Sequence, residues 1–148
     1  MKKDTTVLLF SLGDGICSAS VLETDGGIVV IDGIASETIG GKDIDDKLVN
    51  YFLEEFKAKH NLNPQSSSHA MRRLRTACEN AKKTLSSATT ANLLIENFFN
   101  NIDFYSTLTR SKFEELNKDF FDKCIQLVDN VVKFSMYLTL AIFLHFVR

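Results

Sequence analysis

The chain has 148 residues and a mass of 16.6 kDa, enough for one ordinary domain and too little for two full ones. With 45% apolar residues, 24% charged residues and 12 Phe it can bury a sizeable core, which excludes a disordered, collagenous or low-complexity polymer. Lys and Arg total 17 against 19 Asp and Glu, so a net charge of -2 leaves no global basic field to hold nucleic acid by counterion release.

In chain order, Val7-Leu8-Leu9-Phe10 predicts a short strand, Ser18 to Leu22 a second after a Gly-rich turn, and Gly27 to Ile31 a third after Asp25-Gly26. The period then changes. Ile44, Leu48, Tyr51, Phe52 and Phe56 recur at helical spacing behind Gly40-Gly41, and the carboxylates of Asp43, Asp45 and Asp46 suit a positive helix N-terminus. This helix should end near His60. Pro64 and the Ser66-Ser67-Ser68 cluster mark a loop and a helix start, and Met71, Leu74, Ala77, Cys78, Ala81 and Leu85 mark a second amphipathic helix. Ala91 to Phe99 and Ile102 to Thr109 predict a hairpin turning at Asn100-Asn101. One long helix should follow from about Thr109, with Phe113, Leu116, Phe120, Cys124, Leu127 and Val131 on its apolar side.

From Phe134 to Val147 the chain is uncharged and mostly apolar on every face, which erases the helical period. A spanning helix needs about 20 apolar residues, so a buried or mispacked soluble helix fits this length better than a membrane anchor, with an aggregation-prone tail as the other alternative. The three cysteines, Cys17, Cys78 and Cys124, are odd in number and widely spaced, which fits a reducing compartment rather than a disulfide framework or a zinc knuckle. The apolar run after Met1-Lys2-Lys3 is too short for a signal core, so a cytoplasmic rather than a secreted protein is expected.

Two patterns carry possible chemistry. Ser11-Leu12-Gly13-Asp14-Gly15-Ile16 lies between two strands, and Gly13 and Gly15 would let the backbone bring N–H groups close to a phosphate; a plain hairpin turn is the competing reading. Glu79, Lys82, Lys83 and Ser86 stand at i, i+3, i+4 and i+7, so one helix face presents a carboxylate, two ammonium groups and a hydroxyl. Such a face could grip ribose hydroxyls and a heterocycle edge, or be a solvated face with Glu–Lys pairs. The two ends of the chain differ in sign: residues 1 to 64 hold 6 basic and 11 acidic groups, and residues 65 to 148 hold 11 and 8. The surplus gathers at Arg72, Arg73, Arg75, Lys82 and Lys83, but no aromatic residues interleave them, so nucleic-acid binding is not expected. His60, His69 and His145 have no metal-like spacing, and neither a metal site nor a nucleophile with its base is assigned.

Four strings in order resemble the nucleotide-binding domain of the seventy-kilodalton heat-shock chaperones. They are Ile39-Gly40-Gly41-Lys42-Asp43-Ile44-Asp45, Arg72-Arg73-Leu74-Arg75-Thr76-Ala77-Cys78-Glu79-Asn80-Ala81-Lys82-Lys83-Thr84-Leu85-Ser86-Ser87, Ile102-Asp103-Phe104-Tyr105 and Thr109-Arg110-Ser111-Lys112-Phe113-Glu114-Glu115-Leu116-Asn117. The resemblance covers roughly Val7 to Val132. It implies an α/β fold: part of an actin-like ATPase (ribonuclease H-like) lobe, with three N-terminal strands, two helices, a β-hairpin and a long C-terminal helix. Residues 1–39 would be a partial β-sheet subdomain, 40–123 the small subdomain that closes over adenosine, and 124–148 a C-terminal helix with a divergent apolar tail.

The resemblance further implies a chaperone of protein folding and the stress response that binds ATP or ADP, with ribose and adenine against Glu79, Lys82, Lys83 and Ser86. Lys83 stands where the family usually has a stacking arginine, and lysine lacks the planar guanidinium. At the phosphate turn the family motif reads Asp-Leu-Gly-Gly-Gly-Thr with a later aspartate, whereas this chain has Ser11, Asp14 at the middle glycine, Ile16 at the threonine and Ser18 at the second aspartate. The Mg²⁺ site should therefore be lost and nucleotide affinity weak or lost. The other lobe, with its own phosphate loop and catalytic lysine, would precede Met1, and a later Gly-rich adenosine loop would stand where the apolar tail is. No ATP hydrolysis by this chain alone is expected. The alternatives are a non-catalytic module that binds nucleotide-exchange co-chaperones, or a truncated product without independent function.

Overall fold

The computed structural model describes residues 5–134 and the backbone of residues 140–146. The chain divides into two compact units, one formed by Met1–Asp43 with Asp119–Arg148 and the other by Ile44–Lys118.

In the first unit three antiparallel strands, β1 (Thr6–Leu12), β2 (Cys17–Asp25) and β3 (Ile28–Glu37), are joined by tight turns. The β2–β3 turn needs glycine: Gly26 and Gly27 both have positive φ, 56° and 93°, the geometry that matches the twist of a two-residue hairpin. The register between β2 and β3 shifts between Val21 and Leu22, so Asp32 is an extra residue on β3. Leu8, Cys17, Ala19 and Val21 form a core with Leu127 and Val131 of helix α4 (Lys118–Phe134). Gly33 of β3 faces that helix, and a Cβ there would be in ordinary contact with the Val131 carbonyl oxygen at 3.4 Å. On β3, Ile28, Val29, Val30, Ile31 and Ile34 are exposed.

The C-terminal apolar run departs from the helix expected of it. Leu140–Phe146 forms a strand, β6, parallel to β1 from Thr6↔Leu140 to Leu12↔Phe146, and the sheet order is β3-β2-β1-β6. An all-apolar run carries no period that separates helix from strand, and the open edge of β1 offers a row of backbone partners. Residues 135–139 and 147–148 lie outside the described residues. Among the described residues no helix is long and apolar enough to cross a membrane.

The second unit packs helices α1 (Gly41–His60) and α2 (Ser68–Thr84) with a hairpin of β4 (Thr90–Phe99) and β5 (Ile102–Thr109). α1 ends at His60, and Asn61 takes the left-handed conformation (φ 53°) while its N–H bonds the Lys57 carbonyl oxygen at 2.8 Å. Pro64 opens a short 3-10 turn, and the Ser67 hydroxyl then caps α2 by accepting from Ala70 N–H at 3.2 Å. The hairpin turns on Asn100 and Asn101, both at positive φ (51° and 60°). Phe52, Phe56, Leu74, Leu93, Phe104 and Leu108 are fully buried, and Phe56 meets Phe98 and Phe104 edge-on at 4.9 and 5.5 Å between ring centroids.

The single long helix expected from about Thr109 is two: α3 (Arg110–Leu116), capped by the Thr109 hydroxyl, and α4. Asn117 separates them. It is fully buried, and its side-chain amide donates to the Phe113 carbonyl oxygen at 2.9 Å, taking up the acceptor one turn back and ending the first helix.

Candidate functional site

The glycine turn closes the β1–β2 hairpin just beyond the Leu12↔Cys17 pair. Gly13 N–H donates to the Ile16 carbonyl oxygen at 2.9 Å, so this amide faces into the turn and not toward a ligand. The carbonyl oxygens of Gly13 and Asp14 accept from Gly41 N–H at 3.0 Å and Lys42 N–H at 2.9 Å, the first two amides of α1. The Asp43 carboxylate accepts from Gly40 N–H at 2.7 Å, while Asp43 N–H donates to the Gly40 carbonyl oxygen at 3.0 Å. The positive end of α1 is thus already occupied by two carbonyls and its own carboxylate.

The glycine that this packing demands is Gly40, where a Cβ would stand 2.2 Å from the Asp14 carbonyl oxygen and 2.5 Å from Gly15 N. Gly15 has nothing within 4 Å of its Cβ position, and at Gly13 the nearest atom is 3.4 Å away. Asp14, Gly15 and Ile16 are exposed at the tip. Ser11 and Ser18, which stand where the resemblance expects aspartates, are direct partners across β1 and β2. A facing pair of neutral hydroxyls does not supply the carboxylates that organise a hydrated Mg²⁺, and Asp14 adds a negative charge at the tip, so the turn does not fit a magnesium-bound phosphate.

On α2 the expected quartet separates. Glu79 and Lys83 form an ion pair at 2.9 Å with side chains 47% and 67% exposed, so both remain open to solvent. The bond from Lys83, and then its charge, hold the Glu79 carboxyl below its ordinary range. Lys82 turns instead to Asp45 of α1 at 2.6 Å, an ion pair with side chains only 26% and 16% exposed, in an orientation outside hydrogen-bond geometry. Ser86 is not on the helix. α2 ends at Thr84, Leu85 caps it, and the chain tightens through Ser86 N–H to the Lys83 carbonyl oxygen at 3.1 Å. The i+7 spacing carries the α-helix two residues further than the backbone does. Gly13 and Gly15 belong to the first unit, and Glu79, Lys82, Lys83 and Ser86 to the second.

Several residues that shape these sites carried no motif. Arg110 holds the turn that bears Ser86, donating from one Nη2 to the carbonyl oxygens of Leu85 at 2.9 Å and Ala88 at 2.8 Å. Asp45 reads in sequence as a helix-dipole carboxylate, and its pairing with Lys82 depends on how α1 and α2 pack. A shallow groove of about 530 Å³ lies along α2 and β4, lined by Arg72, Arg73, Thr76, Asn80, Leu94 and Glu96. Arg73 is fixed there by donating to the carbonyl oxygens of Glu96 at 2.6 Å and Asn97 at 3.0 Å. Cys78 is buried, which pushes its thiol up to about 12, with the Asp45 charge adding to the effect. Among the described residues no three or more His, Cys, Asp or Glu side chains converge as a metal site would require.

A family model described as Hsp70 protein matches residues 1–141. The chain is 46% identical over 128 residues to heat shock cognate 70 kDa protein 3 of Dictyostelium discoideum, covering 86% of this chain and 20% of that one. It is 45% identical over 130 residues to a heat shock 70 kDa protein of Neurospora crassa, covering 87% and 20%. With heat shock 70 kDa protein II of Paracentrotus lividus the identity is 41% over 131 residues, covering 88% of this chain and 35% of the relative. The chain therefore spans a fifth to about a third of the length of these curated relatives.

Proposed function

The chain belongs to the Hsp70 protein family, and on that premise we propose that it contacts adenine nucleotide weakly through the exposed end of α2 and does not hydrolyse ATP on its own. Among the described residues, its two sheets and four α-helices are those of a partial actin-like ATPase lobe from such a protein. The observation that carries the proposal is the solvent-facing Glu79–Lys83 pair. A carboxylate held ionised accepts hydrogen bonds from two ribose hydroxyls, and the Lys83 stem can lie along a base. Lys82, committed to Asp45, contributes charge more than contact. The absence of turnover follows from the phosphate turn, where the Gly13 amide is closed on Ile16, Asp14 repels phosphate and two serines replace carboxylates.

Isothermal titration of the full chain with ADP tests this. A saturable heat is expected, with Kd on the order of 1 mM, and Glu79→Gln should weaken it about tenfold through loss of a charge-assisted bond. Absence of saturable heat, or unchanged affinity in Glu79→Gln, refutes the adenosine contact. Mg²⁺-dependent phosphate release from pure protein refutes the lack of hydrolysis.

The groove favours a second reading, an interaction module for nucleotide-exchange co-chaperones. Arg72 and Asn80 are exposed beside Leu94, itself 60% exposed, which gives a cationic and apolar surface on a rigid helix and strand. A chain that gives no heat with ADP yet binds an exchange factor belongs to this class.

A further inference from the structure

We propose that Cys17 and Cys124 form an oxidisable clasp, a thiol pair that closes to a disulfide between β2 and α4. Their sulfurs lie 3.9 Å apart across 107 residues of sequence, and both cysteines are free. Cys17 is the first residue of β2, directly after the glycine turn, and it is fully buried; Cys124 is half-buried. Cys124 stands on the same stripe of α4 as Leu127, Val128 and Val131, which packs against the sheet, so the core holds side by side the two backbone segments that carry the thiols. A disulfide needs a sulfur separation of about 2.05 Å. Rotation of the two side chains about their Cα–Cβ bonds supplies the approach.

Hydrogen peroxide serves as the two-electron oxidant. The more accessible Cys124, as thiolate, attacks the peroxide oxygen; an S–O bond forms, the O–O bond breaks, and hydroxide leaves to take up a proton as water. The Cys17 sulfur then attacks the Cys124 sulfenic sulfur. The S–S bond forms, the S–O bond breaks, and the departing hydroxide takes the Cys17 proton, so two electrons pass from the sulfurs to the peroxide. Burial raises both thiols, Cys17 to about 12, so the attacking thiolate is scarce and closure answers sustained oxidant. Closure ties the stem of the glycine turn to α4. Cys78 belongs to the other unit and serves as an internal reference.

The test treats the reduced full chain with hydrogen peroxide, alkylates the remaining thiols and maps linked peptides by mass spectrometry. A monomeric, dithiothreitol-reversible link between the Cys17 and Cys124 peptides should dominate other pairings at least tenfold, with Cys78 still alkylated. In urea, where the fold no longer selects partners, the pairings should mix. Cys124→Ala and Cys17→Ala should each abolish the link, and Cys78→Ala should leave it intact; alanine keeps these sites small and apolar. Sulfinic acid at Cys124 without a link, intermolecular dimers alone, or a dominant link through Cys78 would overturn the proposal.

Discussion

Replacing Gly40 by alanine adds a single methyl group where the turn and the start of α1 meet. Its Cβ would stand 2.2 Å from the Asp14 carbonyl oxygen and 2.5 Å from Gly15 N, both backbone atoms, and real Cβ contacts do not fall under 3.0 Å. The turn must retreat by roughly 0.8 Å or more, which breaks the bonds from Gly41 and Lys42 N–H to the Gly13 and Asp14 carbonyls and disturbs the Asp43 cap. Two backbone hydrogen bonds at about 1 kcal/mol each and a cap at about 1 to 2, less about 0.5 to 1 for the stiffer unfolded chain, leave a loss of roughly 2 to 3.5 kcal/mol. At about 3 °C per kcal/mol for a chain of this size, the melting temperature should fall by roughly 6 to 10 °C in a circular-dichroism melt. Gly15→Ala is the matched control: nothing lies within 4 Å of its Cβ position, so the melt should move by less than about 2 °C. A Gly40→Ala protein that melts with the wild type, or a Gly15→Ala protein equally damaged, would show that the contact between the turn and the start of α1 does not set the glycine requirement.

Two further substitutions probe the second unit. Arg110→Met keeps the stem but removes the donor to the Leu85 and Ala88 carbonyls, and should cost about 2 kcal/mol in urea unfolding; a change under about 0.5 kcal/mol would mean water replaces the guanidinium without loss. Cys78 gives a pH dependence with a definite sign. Its thiol titrates near 9.0 when unfolded and about 12 when folded, so between these values the folded state holds more protons and stability falls as pH rises. From pH 8 to about pH 10.5 its contribution should drop by about 2 kcal/mol. The difference between wild type and Cys78→Ala isolates that slope, and parallel pH profiles for the two would show that the buried thiol does not contribute.

Local chemistry made much of the fold legible. Asn100-Asn101 announced a hairpin because both residues tolerate positive φ, and Pro64 with the serine cluster announced a helix start that Ser67 then caps. The end of α1 was readable from the loss of apolar period after Phe56 and the Asn-rich stretch behind His60. What escaped was decided by partners far along the chain or by competition for a single atom. The apolar stripe runs on through Asn117, and nothing in a period marks a side-chain amide that takes its own helix's acceptor. Lys82 turned to Asp45 because α1 packs beside α2, which spacing within α2 cannot express. Ser86 was misplaced by extending ideal helix geometry two residues past Thr84. The strand at Leu140–Phe146 was hidden because the residues alone do not state that β1 has an open edge.

The pairing of β1 with β6 sets an order of events during synthesis. The second unit is one continuous stretch, Ile44–Lys118, whose hairpin and two helices are local in sequence and can consolidate as soon as they leave the ribosome. The first unit must keep β1 waiting until residues 140–146 emerge, with its early strands unsheltered through the translation of everything between. The sheet of the first unit therefore closes later than the second unit consolidates, because its fourth strand lies far along the chain from its first.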